Sequence, residues 1–266
     1  MTIIRNIKSG GGGVIVVGDD GLAITTSNVL LGRTPTVTSP GVDEVPLNIS
    51  SPDHSFNYTS GAVNDYFSVD YGVVQNVSYT AISGHNAAGN IGVTIELYDG
   101  ITLVDSVTMT RNNNVMFTYT TRSFTNMILK FVTATPTQQV TVSFIASGAY
   151  LNIETGEQAG YSRNWLNRSA TEKVTTNLMT APVTVTKKSK ALKGTLTLPN
   201  ETAVFSQGLW QDFMDFSYEQ PFFIKEVSGR PDSTYTCFNP KHTIKAHPQT
   251  RLMDSITLSF NAFNGL

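Results

Sequence analysis

Apolar and polar residues alternate along much of the chain, and this period of two predicts β-strands with one buried face. The alternation is clearest across residues 51–150, where turn residues such as Asp99-Gly100 separate the apolar runs. The runs predicted as strands in this stretch are residues 66–69, 77–82, 93–98, 103–110, 115–120, 127–132 and 140–145. Many short strands at this spacing favour a β-sandwich or jelly roll over residues 51–150.

Residues 171–266 form a second β-rich unit, which contains the one predicted helix. Four apolar residues at near-helical spacing place this helix near residues 201–217: Phe205, Leu209, Phe213 and Phe216. Asn200 is the predicted N-cap and Pro221 the stop signal. The strands predicted around the helix are residues 174–177, 183–186, 194–198, 222–224, 235–238, 243–246 and 255–260. The fold class is therefore mainly β, with one amphipathic helix.

The remaining segments connect these units. Residues 151–170 are polar and contain glycine, which predicts a linker between the two units. Residues 1–50 are predicted to be an extended arm or hairpin, in which Gly10–Gly13 separates two β-branched runs. Two interpretations stay open: an edge hairpin with a surface crossover, or an arm that adds a strand to a neighbouring subunit. The arm residues expected at such an assembly interface are Ile3, Ile4, Val14 and Val16.

The low and nearly neutral charge of the chain argues against some classes of binding partner. The 266 residues carry a net charge of −2, and only 14% of them are charged, against roughly 25% in an ordinary soluble protein. This lack of a basic excess argues against nucleic-acid binding, and no apolar run reaches the length of a membrane span. A nearly neutral, hydroxyl-rich surface is tolerated when an assembly covers much of it. The N-terminus lacks the pattern of a secretory signal, and the single Cys237 forms no internal disulfide, so we expect synthesis in a reducing cytosol.

No group of residues in the sequence predicts catalysis. Ser83 lies close to His85, but the strained Gly-x-Ser-x-Gly turn of serine hydrolases is absent. His242 and His247 have an odd spacing, which places them on opposite faces of a strand, and the carboxylates are scattered. We therefore expect no enzyme activity, no catalytic residue, no cofactor and no metal site. The main interpretation of His85 is a loop residue whose imidazole bonds backbone groups, with Gly84 setting the turn.

Two further features bear on binding. The basic cluster of Lys187, Lys188, Lys190 and Lys193 is predicted to be a solvated hairpin tip, and contact with phosphate or an acidic partner is the alternative. Trp210 lies in the predicted helix and is expected in its core. Trp165 lies beside Arg163 and Arg168 in the linker and is a candidate interface anchor.

Two stretches resemble a known family. Residues 69–72, the run Ala81-Ile82-Ser83-Gly84-His85-Asn86 and residues 92–96 resemble the discoidin-like, galactose-binding-like jelly rolls of tailed-phage virion proteins. The C-terminal part is similar to such proteins in residues 187–196, the aromatic helix, Gln220-Pro221-Phe222-Phe223 and residues 255–260. Together these segments cover about two thirds of the chain. The resemblance does not by itself transfer sugar binding.

The resemblance implies a structural virion component assembled in the host cytoplasm, at the tail tip, collar or baseplate. Such a protein forms homo-oligomers and docks on other virion proteins, with Trp165, Phe222 and Phe223 as candidate contacts. A head decoration protein is a variant of this hypothesis. The alternative is a carbohydrate-binding module for host-surface glycans, whose candidate glycan-facing loop residues are His85, Asn86 and Tyr98.

Overall fold

The computed structural model is mainly β and contains two large antiparallel sheets. It describes residues 21–37, 46–51, 58–59, 66–87, 93–132, 141–154, 160–162, 168–169, 172–176, 182–187, 191–227, 229–246 and 253–265. The strands are β1 (Gly21–Thr25), β2 (Thr36–Val37), β3 (Tyr58–Thr59), β4 (Tyr66–His85), β5 (Thr94–Asp99), β6 (Thr102–Thr108), β7 (Val115–Val132), β8 (Thr141–Gly148), β9 (Tyr150–Glu154), β10 (Gly160–Ser162), β11 (Arg168–Ser169), β12 (Glu172–Thr176), β13 (Pro182–Lys187), β14 (Ala191–Thr202), β15 (Phe222–Lys225), β16 (Thr234–Ala246) and β17 (Met253–Phe263). A 3₁₀-helix spans Pro46–Ser50, and the α-helices are α1 (Ala203–Gln207) and α2 (Leu209–Glu219).

The first unit is built on two long strands, β4 and β7. Its sheet has the order β3-β8-β4-β7-β5-β6, and β2 pairs with β4. The sequence predicts each long strand as two short ones. In the structure the two predicted pieces of each strand are continuous. The β4–β7 pairing shifts register between Asp70 and Gln75 and again between Val77 and Tyr79, and such irregularities let the strands continue where a turn was expected. Inward side chains from both halves of the sheet form one buried core, as the predicted sandwich requires.

The second sheet includes strands from outside residues 171–266, the range predicted for the second unit. Its order is β10-β14-β17-β16-β15-β1-β9, with β11 on the outer edge of β14. Strand β1 precedes the first unit and β9 follows it, yet the two strands pair from Gly21↔Glu154 to Thr25↔Tyr150. The first unit is therefore an insertion between two neighbouring strands. Residues 21–25, predicted within the arm, and residues 151–154, predicted within the linker, belong to the second sheet.

Helices α1 and α2 cover one face of this sheet. The N-cap is Thr202, whose hydroxyl accepts a hydrogen bond from the Phe205 N–H at 3.2 Å, whereas the predicted cap Asn200 lies within β14. Gly208 separates the two helices, and Pro221 follows their end, as predicted. Trp210 and Phe213 are fully buried and pack against the sheet in a core that also contains Phe222 and Leu258. We call this the helix-side core.

The opposite face of the second sheet packs against the first unit. Alternation along β4 directs Tyr79 and Ala81 toward the second sheet, while Ile82 points into the first core. Phe144 and Phe223 stack across the junction with ring centroids 5.9 Å apart. We call this junction the inter-unit interface. Among the described residues, no helix is long and apolar enough to cross a membrane.

Candidate functional site

The outer face of β5 and β7 carries the side chains best arranged to hold a ligand. Along β5, Ile95 and Leu97 are buried in the core, so the alternating Glu96 and Tyr98 point outward. In the β5–β7 register Lys130 lies opposite Glu96, which brings it to the same outer face. We call Glu96, Tyr98 and Lys130 the Tyr98 site.

Two polar contacts fix the phenol ring of Tyr98. Its hydroxyl donates a hydrogen bond to Glu96 Oε2 at 2.8 Å, and Lys130 Nζ lies 4.3 Å from the ring centroid. An ammonium at this distance from a ring is attracted by the negative π face. The hydrogen bond to Glu96 raises the pKa of Tyr98, because deprotonation would remove the donated proton and place a second negative charge beside the carboxylate. The phenol is thus held neutral and oriented.

An apolar hairpin tip borders the Tyr98 site. Gly100 has a φ of 58°, the left-handed conformation that the turn between β5 and β6 requires. Beyond it, Ile101 is 98% exposed, and Leu103 is exposed directly opposite Tyr98 in the β5–β6 register. The surface here therefore combines a half-buried aromatic ring, carboxylate acceptor and ammonium donor with an exposed apolar edge.

His85 lies in the core of the first unit, and its candidate glycan-facing role is corrected accordingly. Its side chain is fully buried; Nε2 donates to the Asn113 carbonyl at 2.6 Å, and Nδ1 accepts from the Ala87 N–H at 3.2 Å. Burial lowers the pKa of His85 to about 4, although the bond to Asn113 opposes this shift. The imidazole therefore satisfies backbone groups, as predicted, but His85 is the last residue of β4 and not a loop residue.

The neighbouring residues fit that structural role. Gly84 has a φ of 63°, and a Cβ at this position would lie 2.3 Å from Ser143 Oγ, so only glycine fits. Asn86 is half-buried, and its side-chain oxygen accepts a hydrogen bond from the Thr141 N–H at 2.8 Å. The Asn86 amide thus ties the end of β4 to β8. Of the three residues proposed for a glycan-facing loop, Tyr98 lies on the outer face of the sheet beside an exposed hairpin tip and stays a candidate.

Phe222 and Phe223 are inside the molecule, so their predicted role as docking residues on the surface is corrected. Both are fully buried. Adjacent residues on a strand point to opposite faces, and both faces of β15 are covered. Phe222 packs edge-on against Phe213 at 5.3 Å in the helix-side core, while Phe223 stacks on Phe144 in the inter-unit interface.

Other predicted residues lie outside the described part of the chain. The arm residues Ile3, Ile4, Val14 and Val16, the anchor Trp165, and Lys188 and Lys190 of the basic cluster all fall there. Lys193 is described and lies exposed on β14. Within the described residues, no three His, Cys, Asp or Glu side chains are grouped so that they could hold a metal ion.

Sequence reasoning did not group the members of the Tyr98 site. Glu96 and Tyr98 are two residues apart on one strand, a spacing that places them on the same face and was available from the sequence. Lys130 joins them only through the β5–β7 register, which no local pattern gives.

No family model matches the chain, and no curated protein matches it. Solved structures with partial similarity to this chain include the following three, each of which matches 46% of it. A Streptococcus pneumoniae fucose binding module is 12% identical over 94% of its own length, with a TM-score of 0.38. Chitosan-binding module 1 from a Paenibacillus sp. IK-5 chitosanase/glucanase is 20% identical over 98% of its length, with a TM-score of 0.36. The lectin domain of lectinolysin, complexed with Lewis B antigen, is 11% identical over 96% of its length, with a TM-score of 0.38.

Proposed function

We propose that this chain is a non-enzymatic carbohydrate-binding protein whose sugar contact is the Tyr98 site. The observation that carries the proposal is the fixed, outward-facing phenol of Tyr98 between the Glu96 carboxylate and the Lys130 ammonium. A sugar offers apolar C–H groups and hydroxyls that both donate and accept. An aromatic ring with a polar tip, beside an acceptor and a donor, is complementary to that mixture.

The geometry also sets the expected strength of binding. The ring is already oriented, so little conformational freedom is lost when a sugar binds. The surface is open, however, and buries less of a ligand than a closed pocket does. We therefore expect dissociation constants in the range of about 0.1–10 mM for a single sugar unit, equivalent to roughly 3–5 kcal/mol.

The test is a glycan array followed by titration calorimetry on the strongest binder. Replacing Tyr98 by Ala removes the ring and is expected to weaken binding about tenfold or more. Tyr218→Ala is the matched control, because Tyr218 is 58% exposed on α2 and lies in the other unit. Thermal unfolding checks that both variants are folded.

Two outcomes would contradict the proposal. A wild-type chain that binds no glycan on the array rules out sugar recognition. Equal weakening by Tyr98→Ala and Tyr218→Ala places the sugar elsewhere.

The structural role in a phage virion stays a prediction that rests on the family resemblance. Its test is immunogold electron microscopy of purified particles with an antibody to this chain. Label at one place on the tail would support a tail protein, and label over the head would support a decoration protein. A chain absent from every particle would leave the carbohydrate-binding proposal alone.

A further inference from the structure

A second exposed sheet face lies in the other unit, on the far part of β14, β17 and β16. Cross-strand partners point to the same face, so the register identifies its members. They form three rows: Lys193–Asn261–Phe238, Thr195–Ser259–Lys241 and Thr197–Thr257–Thr243. Lys245 extends the surface opposite Ser255. We call these residues the basic sheet face.

This face is the open continuation of the inter-unit interface. Thr236 of β16 is buried there and donates a hydrogen bond to Ser83 Oγ of the first unit at 2.7 Å. Two residues further along the strand, Phe238 is already 38% exposed, and Lys241, Thr243 and Lys245 are exposed beyond it. The first unit therefore covers the beginning of β16 and leaves the rest of this face open.

The charge on the face has one sign. Lys193, Lys241 and Lys245 are exposed, and none of them forms an ion pair with a carboxylate of the described residues. The carboxylates of these strands point the other way: Glu201 pairs in register with Asp254, and Asp254 accepts a hydrogen bond from Ser206 of α1. Alternation has thus placed the acidic groups on the helix side and the ammonium groups outside.

The Cα atoms of the three lysines are spread along and across the face. Lys241 and Lys245 are four residues apart on one strand, so their Cα atoms are about 13 Å apart. Lys193 on β14 and Lys241 on β16 are separated by strand β17 and by two residues along the strands, so their Cα atoms are about 12 Å apart. Three lysines spread over the face in this way can each meet a successive charge of an extended polymer.

The groups between the lysines indicate what kind of polymer fits. Thr195, Thr257 and Ser259 supply hydroxyls, and Asn261 supplies an amide beside the exposed ring of Phe238. Hydroxyl and amide side chains can donate to and accept from sugar hydroxyls, and an aromatic ring can pack on a sugar ring.

We propose that the basic sheet face binds an acidic polysaccharide, that is, a sugar chain bearing repeated carboxylate or sulfate groups. The lysines hold the charges, and the hydroxyl rows together with Phe238 contact the sugar rings. This site shares no residue with the Tyr98 site and does not depend on it.

The experiment is a titration of the full chain with polygalacturonate and with chondroitin sulfate, at several salt concentrations. The double variant Lys241→Gln/Lys245→Gln is expected to weaken binding roughly tenfold or more and to reduce its salt dependence. The matched control is Arg122→Gln/Arg230→Gln, which removes the same charge from two exposed positions elsewhere. Phe238→Ala is expected to weaken binding without changing the salt dependence.

Each alternative outcome overturns the proposal. Equal weakening by the arginine control means that net charge attracts the polymer, without a defined face. Tighter binding of short single-stranded DNA than of both polysaccharides identifies a different class of ligand. Absence of binding to both polysaccharides rejects the site. Tyr98→Ala leaves this binding unchanged if the two sites are independent, so failure here and failure of the Tyr98 site are distinguishable.

Discussion

The two faces of the second sheet are covered in different ways. The helix-side core is dominated by large rings, with Phe213 packed edge-on against Trp210 at 5.0 Å and against Phe222 at 5.3 Å. The inter-unit interface has one stacked aromatic pair and a set of directional hydrogen bonds centred on Asn114. Asn114 Nδ2 donates to Thr236 Oγ1 at 2.9 Å and to the Phe263 carbonyl at 2.7 Å, while its Oδ1 accepts from the Gly84 N–H at 3.2 Å.

The helix-side core mainly contributes stability, whereas the inter-unit interface mainly fixes the relative orientation of the two units. Burial of rings is roughly proportional to area and tolerates small shifts, so the helices can be held strongly without a unique set of bonds. Buried amide and hydroxyl groups require their partners at defined distances, because an unmet group costs free energy. The interface therefore fixes how the two units are placed, and with them the relative positions of the Tyr98 site and the basic sheet face.

The largest effect is expected in the helix-side core. Phe213→Ala removes a fully buried ring and is expected to lower the free energy of unfolding by about 3–5 kcal/mol. Urea denaturation followed by circular dichroism measures this loss. Val204→Ala, at a position of α1 that is 84% exposed, is the control and is expected to change stability by less than about 0.5 kcal/mol. A loss below about 1 kcal/mol for Phe213→Ala would show that this core does not hold the helices.

A pH titration compares His85 in the core of the first unit with His242, which contacts the rings of the helix-side core. The folded pKa of His85 is about 4, below its ordinary value of 6.5, so the unfolded chain binds more protons between these pH values. The free energy of unfolding therefore falls as pH drops from about 6.5 to about 4, by on the order of 3 kcal/mol for His85. Burial also lowers the pKa of His242 to about 4, but this group is only half-buried and its effect is expected to be smaller.

The measurement is the free energy of unfolding at several pH values for the wild type, His85→Gln and His242→Gln. We expect His85→Gln to remove most of the slope between pH 6.5 and 4, and His242→Gln to remove the lesser part. An unchanged slope in His85→Gln would mean that its imidazole is not buried in solution.

The smallest expected loss of unfolding free energy concerns the hydrogen bonds of the inter-unit interface. Asn114→Ala leaves the Phe263 carbonyl and the Gly84 N–H without this partner, and we expect a loss of about 2 kcal/mol. Asn76→Ala is the matched control, because this exposed amide accepts one hydrogen bond, from Ser123 Oγ at 2.7 Å. Its removal is expected to cost less than about 0.5 kcal/mol. Equal losses in the two variants would show that the bonds of Asn114 do not define the interface.

Local pattern was sufficient for much of the secondary structure. The alternation in residues 93–98 predicts β5, observed as Thr94–Asp99, and Asp99-Gly100 forms the turn that follows it. The spacing that predicts a helix near residues 201–217 matches α1 and α2, although the cap is Thr202. Long strands were harder to predict, because the β4–β7 pairing continues through register shifts, and Gly72 at the first shift marks an irregularity within a strand where it can equally mark a turn.

The sequence alone did not predict which distant segments pair. Residues 21–25 alternate as an isolated strand in an arm would, and nothing nearby indicates that they lie between β15 and β9. The adjacent rings of Phe222 and Phe223 are the clearest case. Two neighbouring apolar residues on a strand expose one of them unless both faces are covered, which favours a docking surface when only the sequence is considered.

The sequence alone determined most of the short strands, where the helical segment lies and which side chains of a strand share a face, because these follow from local backbone geometry. Only the tertiary structure decided what covers each face. It buried both phenylalanines, placed His85 in a core, brought Lys130 beside Tyr98 and left the lysines of β14 and β16 open. Register and the packing of sheets depend on partners far apart in the chain, and a period of two carries no information about those partners.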